Sequence, residues 1–206
     1  MLKGASMLCK AKERIVKVSI CGKVYELHCS PENLDDLAVG LAYIEGLEPN
    51  FEYKVEDFEI PNIKIKPSIK FTIDEIEKSL KYLDVGDETR AHHIAALVGK
   101  NGLIARVLDV SRHSAVIKVI GMGVKMNVDF SRVYLLVSSR ISYDVALKCL
   151  KARIPLIVSK KAILDSALKL CLKTGLSVVS FMSGVIVGDA IECCNTSWWE
   201  RKENKC

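Results

Sequence analysis

The chain has 206 residues, half of them hydrophobic, and its 30 basic and 25 acidic side chains leave a net charge of +5. That length supports one substantial core with a small extra lobe, or two small domains. The basic excess is mild and dispersed and aromatic residues are only 6%, which argues against a dedicated nucleic-acid binder while favouring an anionic ligand.

The longest uncharged run, 174–188, contains serines and glycines and is too short and polar to span a bilayer. The first residues, MLKGASMLCKAKER, lack a long apolar core and a signal-cleavage pattern, so no membrane association and a cytoplasmic location are expected. Cysteines stand at 9, 21, 29, 149, 171, 193, 194 and 206, no two spaced as CxxC. Cys149 and Cys171 fall on helix faces expected to be buried, where a thiol acts as a small hydrophobe. Neither a disulfide framework nor a four-cysteine zinc site has support.

Residues 15–29, IVKVSICGKVYELHC, alternate apolar and polar about Cys21 and Gly22, which predicts a hairpin. Ser30, Pro31 and Glu32 read as the cap, first-turn proline and dipole-matched acid of a helix. Its buried face is Leu34, Leu37, Ala38 and Leu41, and Gly46 ends it. Four of the five prolines lie between 31 and 67, and residues 48–68 read as a connector. The expected organisation is an N-terminal hairpin-helix lobe with its connector over 1–68, an α/β domain over 69–192, and a tail over 193–206. Thr72 and Glu75 form a capping box opening a helix to about Asp84, with Ile73, Ile76, Leu80 and Leu83 on one side.

Ile94–Val98 and Leu103–Leu108 flank Gly99–Gly102, two strands joined by a tight turn. Asp109–Ser114 reads as a turn, followed by an amphipathic helix through Ala115, Val116, Val119 and Ile120. The stretch 133–159, VYLLVSSRISYDVALKCLKARIPLIVS, organises the chain. Val133–Val137 is a strand buried on both faces, and Ser138, Ser139 and Arg140 break it. Val145, Ala146, Cys149 and Leu150 recur at helical spacing, Pro155 stops the helix, and Leu156–Val158 is a second buried strand. Strands joined by a helical crossover lie parallel, and open α/β sheets bind ligands at their carboxyl ends. A helix over 164–173 with Gly175 as its stop, a strand over 176–181, a short apolar run over 185–191, and a polar tail holding Trp198 and Trp199 complete the chain. The fold class is α/β, a sandwich on a mixed sheet of the strands near 94, 103, 133, 155 and 176.

Three polar clusters fall at strand ends: His92 and His93, then Asp109 with Arg112 and His113, then Ser138 to Ser142. If the strands share one sheet, these clusters line one cleft. Arg112 and Arg140 there would bind phosphate bidentately, with serine hydroxyls and the N-H groups of the helix start as further donors. Histidines near an ordinary pKa of about 6.5 would add charge or move protons. The helix and strand order also matches zinc nucleoside deaminases, which need a histidine or cysteine with a glutamate on one helix and PCxxC at the next. Here those places read Arg112-His113-Ser114-Ala115 and Ser139-Arg140-Ile141-Ser142, so no zinc and no deamination are expected.

These residues resemble the formate dehydrogenase accessory sulfurtransferase family, FdhD. Its TGGxHAAAL segment is met by Thr89 to Leu97, with His93, Ala95, Ala96 and Leu97 kept and Arg90-Ala91 in place of the glycines. Its EDVGRHNAVDKVIG segment is met by LDVSRHSAVIKVIG, which keeps Asp109, Val110, Arg112, His113, Ala115, Val116 and Lys118 to Gly121 and departs at Ser111, Ser114 and Ile117. SGRxSYE is met by Ser138 to Asp144, and GIPxLVS by Ile154 to Ser159. Asp35 to Gly40 and Glu45-Gly46 fit its N-terminal lobe, so the resemblance covers roughly residues 13–190.

The resemblance implies a cytidine deaminase-like fold. It also implies handling of a molybdenum or tungsten cofactor built on two pyranopterin guanine dinucleotides, to which the family carries persulfide sulfur from a cysteine desulfurase before insertion into formate dehydrogenase. His93, Asp109, Arg112, His113, Ser138, Ser139, Arg140 and Ser142 are the implied cofactor-binding residues. Phe181 and Gly184 match a further cofactor-contacting segment, in which Ser183 and Ile186 stand where an arginine is usual. Formate dehydrogenase and a cysteine desulfurase are the implied partners, and a homodimer is expected. The family's sulfur-carrying CxxC loop precedes the helix that begins at Thr72. Ile60 to Ile69 stands there, with no cysteine between Cys29 and Cys149. Two readings stay open: a cofactor-binding module without sulfur transfer, or a sulfurtransferase using Cys29 or the pair Cys193 and Cys194.

Overall fold

The structure is a computed structural model that describes residues 10–84, 86, 89 and 91–192. Arg90, Cys193, Cys194, Trp198 and Trp199 lie outside the described residues.

The N-terminal lobe is built on β1 (Arg14–Ile20) and β2 (Lys23–Cys29), a hairpin whose turn residues Cys21 and Gly22 both take positive φ, 47° and 80°. Such a turn matches the right-handed twist of the strands it joins. Helix α1 (Leu34–Ile44) follows, then β3 (Phe51–Glu56), which pairs antiparallel with β1 and gives the order β2-β1-β3. Val16, Val18 and Ile20 alternate along β1 and are fully buried with Leu34, Ala38 and Ala42 of α1. The other face is charged, with Lys17 and Lys54 each 2.8 Å from Glu56.

Two expectations change here. The helix begins at Leu34 rather than at Pro31, because Asn33 adopts a left-handed conformation (φ 55°, ψ 43°) that asparagine tolerates and that turns the chain first. The stretch read wholly as connector contains β3, whose Phe51, Tyr53 and Val55 alternate with charged residues; as an edge strand it stays largely exposed, Tyr53 and Val55 included.

The larger domain opens with β4 (Phe71–Thr72) and α2 (Ile73–Ser79), which tightens into a 3-10 turn over Leu80–Leu83 instead of continuing as one helix. The capping box is present: Glu75 N donates to Thr72 Oγ1 at 3.2 Å and Thr72 N to Glu75 Oε2 at 2.7 Å. Then come β5 (His93–Gly99), β6 (Gly102–Asp109), α3 (Arg112–Lys125), β7 (Tyr134–Val137), α4 (Tyr143–Lys151), β8 (Leu156–Ser159), α5 (Asp165–Thr174), β9 (Ser177–Ser180), β10 (Val185–Val187) and β11 (Ile191–Glu192). The apolar run read after β9 divides: β10 folds back on β9, while β11 pairs with β4.

All five predicted strands share one mixed sheet, ordered β10-β9-β8-β7-β5-β6. β7, β8 and β9 are parallel, and β5 is antiparallel to both its neighbours. Every residue of β7, β8 and β9 is buried. Leu135, Ile157 and Val178 face the layer of α3, α4 and α5. Tyr134, Leu136, Leu156, Val158 and Val179 face α2 and the segment of Ala190 and Ile191, and Phe71 meets Tyr134 edge-to-face at 4.8 Å. Burying each such side chain stabilises by about 1.5–3 kcal/mol, so the strand unit read as central is also the energetic centre. Helix α3 lies close on the sheet because Gly123 has no Cβ, which would stand 2.6 Å from Leu97 Cδ1 and 2.9 Å from the Phe130 ring. No helix among the described residues is long and apolar enough to cross a membrane.

Candidate functional site

The strand order brings the predicted polar clusters to one edge, where β6, β7, β8 and β9 end and β5 and β10 begin. His93 stands opposite Asp109 across the β5–β6 ladder, and Ala95 opposite Val137, which leaves Ser138 beside Ile94. From β6 to β9 the edge crosses four strand spacings, about 19 Å.

At its β6 end the chain passes into α3. The helix begins at Arg112, not Ala115, because Ser111 caps it: Ser114 N donates to Ser111 Oγ at 3.4 Å. Asp109, buried to 9% exposure, accepts from Ser111 N at 2.8 Å and pairs with Lys118 one and a half turns into the helix. The Lys118 ammonium and then the Ser111 N-H hold the Asp109 carboxyl below the usual carboxylate range. Asp109 therefore serves the turn that presents Arg112 and His113. Those two residues ride on the first helical turn, both half-buried. Burial, then the nearby charges of Arg112 and Lys148, push the His113 imidazole down from its ordinary value, against weaker opposition from Asp144 and Glu13. His113 is a neutral donor or acceptor near pH 7, rather than a source of charge.

In the middle of the edge, Ser138 extends the β5–β7 pairing: its N-H donates to Ile94 O at 3.0 Å and its hydroxyl accepts from Ile94 N at 2.8 Å. Ser139, 6% exposed, donates to Arg140 O at 3.1 Å, and its carbonyl accepts from Ser159 Oγ at 2.7 Å. Both serines brace the backbone. Ser142 differs, being 3% exposed, preceding α4, and making no cap hydrogen bond. Among the described residues, Ser142 Oγ and Arg112 Nε are the buried side-chain polar atoms without a partner. Each such atom costs about 1–3 kcal/mol when left unsatisfied. Arg140 is exposed on the turn between them in the chain.

The start of α4 departs from expectation. Its Tyr143 N-H, read as a phosphate donor, gives its hydrogen bond at 3.0 Å to the carboxylate of Glu13, which also accepts from Ser166 Oγ. Glu13 is 6% exposed, and its own N-H donates to Asp165 Oδ1 at 2.8 Å. Arg14 pairs with Asp165 at 2.7 Å and with Asp57 at 2.9 Å. An internal anion thus already satisfies this helix start, by the same physics that would have drawn a phosphate. Sequence reasoning missed Glu13 because its partners lie 130 and 153 residues away and no local pattern marks it. His28, also missed, reaches the same helix from β2, with Nδ1 3.1 Å from Asp144 Oδ2.

Beyond β7, Ser159 and Ser180 end their strands in register with Val137. Lys160 and Lys161 follow Ser159 and are exposed, adding positive charge that the strand-end reading had not singled out. Phe181 to Gly184 form the turn after β9: Phe181 N donates to Ser159 O at 3.0 Å and Gly184 N to Phe181 O at 3.3 Å. Phe181 and Gly184 therefore share the edge with Ser138, about 10 Å along it, two strand spacings away.

The stretch that replaces the expected cysteine loop sits at the opposite edge. Ile65 is buried, and its N-H donates to Thr174 O at 2.9 Å, at the end of α5. Lys64 reaches Lys173 O, and Arg153, after α4, donates to Lys64 O at 3.4 Å. A four-residue strand, about 13 Å, separates the two edges. Of the described cysteines, Cys149 and Cys171 are buried as predicted. Burial raises the Cys149 thiol well above its ordinary value and pushes Cys171 up to about 12. Cys29 is half-buried and raised by burial, while Cys21 is exposed at the hairpin tip.

Comparison with known proteins agrees with this architecture. The model of the FdhD/NarQ family matches residues 49–187. A protein named sulfur carrier protein FdhD from Thermoplasma volcanium is 34% identical over 124 residues, 60% of this chain and 44% of that protein. The same-named protein of Streptomyces coelicolor is 31% identical over 148 residues, 70% of this chain and 51% of that one. The chain spans about half the length of these curated relatives. A crystal structure described as that of a formate dehydrogenase accessory protein from Desulfotalea psychrophila superposes with a TM-score of 0.51 at 21% identity, covering 85% of each chain, a likeness of fold. With well over half of its residues matched by the family model, the chain belongs to the FdhD/NarQ family.

Proposed function

We propose that this edge holds the guanine dinucleotide portion of a molybdenum or tungsten bis(pyranopterin guanine dinucleotide) cofactor, carried as cargo, and that the chain serves formate dehydrogenase as a cytoplasmic accessory protein in the sulfuration or delivery of that cargo. The observation that carries the reading is the pair of buried polar atoms without partners, Arg112 Nε and Ser142 Oγ, both donors suited to a phosphate oxygen. Buried donors left unsatisfied in the free protein fit a ligand that completes them. Arg140, Lys160 and Lys161 add exposed positive charge along an edge of about 19 Å, a length suited to an extended dinucleotide. With His113 neutral, these cations supply the electrostatic attraction.

Between the two forms of this role, the described cysteines favour holding and delivery without a sulfur relay. A relay needs a thiolate that the donor can reach and that can enter the cleft. Cys149 and Cys171 are buried, Cys21 and the half-buried Cys29, whose thiol burial raises, belong to the other lobe, and the segment in place of the CxxC loop is fixed at the far edge. A cysteine desulfurase and a second copy of the chain remain proposed partners only of the relay form and of the family's assembly, respectively.

Calorimetry with GDP tests the binding role. Arg140→Ala and Ser142→Ala should each weaken GDP binding about tenfold or more, the loss of a charge-assisted contact to phosphate. Unchanged affinity in both variants would remove this edge from the ligand. Incubation with a cysteine desulfurase and cysteine, read by intact mass, tests the relay. Stoichiometric persulfide that passes onward and vanishes in a Cys193→Ala, Cys194→Ala variant would replace delivery with sulfur transfer.

A further inference from the structure

Helix α3 buries one side against the sheet and presents a second apolar side to solvent. Ala115, Val116, Val119 and Gly123 are buried. On the opposite side Ile117 is 57% and Val124 60% exposed, with the partly exposed Ile120 and Gly121 between them. A surface helix ordinarily gives its solvent side to charged and polar residues. Positions 117, 120, 121 and 124 have the i, i+3, i+4, i+7 spacing of the four residues around one hole in helix-on-helix packing, into which a single side chain of a facing helix fits. Ile117 is also one of the chain's departures from the family pattern, which has an aspartate there.

Gly121 makes that hole deep. A Cβ at Gly121 would meet nothing within 4 Å, whereas one at Gly123 would stand 2.6 Å from Leu97 Cδ1. The sheet beneath therefore explains Gly123. Gly121, in the middle of a 14-residue helix that glycine disfavours, has no such reason inside the chain. Cations flank the hole on both sides. Lys118 and Lys125 lie on the β6 side, the first paired with Asp109. On the α4 side stand Lys148, near enough to His113 to disfavour its protonated form, and Lys151 one turn on. Among the described residues no carboxylate pairs with Lys125, Lys148 or Lys151. A second copy of the chain would set this face against itself, and with cations on both flanks like charges meet whichever way the two helices run. A facing helix with carboxylates beside its apolar stripe matches both flanks.

From this arrangement we infer that the outer face of α3 is a docking surface for an amphipathic helix of a partner protein, which sets an apolar side chain into the hole over Gly121 and carries aspartate or glutamate on either side of its apolar stripe. The surface does not depend on the role proposed for the Arg112 and Arg140 edge.

Amide NMR of the full chain tests it with two synthetic helical peptides of about three heptads that share one leucine seam, one flanked by glutamates and the other by lysines. The glutamate peptide should shift the Ile117, Gly121 and Val124 amides saturably. At low salt it should bind about tenfold or more tighter than the lysine peptide, the ratio shrinking as salt rises. Ile117→Asp changes an exposed side chain, so the fold persists, and it should lose about tenfold or more of that affinity. Gly121→Gln fills the hole with a better helix former, so the free chain should unfold at higher urea while the affinity falls by about the same factor. No saturable shift at these amides, equal affinity for the two peptides, or unchanged affinity in either variant would overturn the proposal. A dimer in sedimentation equilibrium that Ile117→Asp dissociates would overturn it as well, by giving the face to a second copy.

Discussion

Helices α3 and α4 start side by side at the same sheet edge, yet they are held in opposite ways. The start of α3 is local: Ser111 caps it, Asp109 receives the Ser111 N-H, and Lys118 returns from the helix to Asp109. The start of α4 is held from a distance. Its own Ser142 makes no cap bond, and a carboxylate 130 residues earlier takes the Tyr143 N-H. The difference teaches that α3 is set by its own sequence, whereas α4 is tied to the strap over residues 11–14 that enters the N-terminal lobe. It also frees the Ser142 hydroxyl, which a self-capped α4 would have used.

Removing the distant carboxylate should break the comparison most. Glu13→Ala leaves the buried Tyr143 N-H and Ser166 hydroxyl without their acceptor, at about 1–3 kcal/mol each, for a loss of roughly 3 kcal/mol in urea unfolding. Glu13→Gln keeps an acceptor oxygen and should lose less than half of that. A loss in Glu13→Ala no larger than that of an ordinary surface substitution, within about 0.5 kcal/mol, would mean that α4 does not rely on the strap.

The serines give the next contrast. Ser142→Ala removes a buried hydroxyl that has no partner, so the free protein should gain up to about 1 kcal/mol while GDP binding falls. A stability loss instead would show that the hydroxyl is satisfied in solution. Ser111→Ala removes a working cap. The cost should be about 0.5 kcal/mol, at the low end for a cap because its hydrogen bond is long at 3.4 Å, with Gly milder than Ala. Opposite signs at these neighbouring helix starts are the sharpest form of the comparison.

What could be read from the sequence follows the same division. The Thr72 and Glu75 capping box, the Cys21-Gly22 turn, and the buried runs of β7, β8 and β9 have local causes and were legible as patterns. The convergence of His93, Asp109 and Ser138 was legible too, because strand ends in one sheet must meet at an edge once the strands pair. Helix α3 starts three residues before its apolar spacing becomes visible at Ala115, because Ser111, a departure from the family pattern, caps it. Strand β3 left a period-two signal in Phe51, Tyr53 and Val55 that the neighbouring prolines obscured. The tie between Glu13 and α4 left no signal, since a buried carboxylate meeting a backbone N-H across the chain has no spacing to betray it.

The smallest expected effect comes from His113, which sits where the two helix starts meet. Burial and the charges of Arg112 and Lys148 disfavour its protonated form, so its pKa in the folded protein lies below the roughly 6.5 of an unfolded chain. Above that value both states hold a neutral imidazole, and His113 contributes the same to each. As the pH falls below about 6.5 the unfolded chain takes up a proton that the folded chain still refuses, so stability declines until the pH passes the depressed folded value. Asp109 contributes in a separate window: its folded pKa is also lowered, so its stabilisation persists at every pH above the unfolded carboxylate value of about 3.9 and fades only in stronger acid. Urea unfolding of the protein and of His113→Gln at about pH 7.5 and about pH 5.5 separates the two. The variant should lose less stability between these conditions than the unaltered chain. Equal losses would place the imidazole free of Arg112 and Lys148, and would mean that α4 does not impose its charge on the first turn of α3.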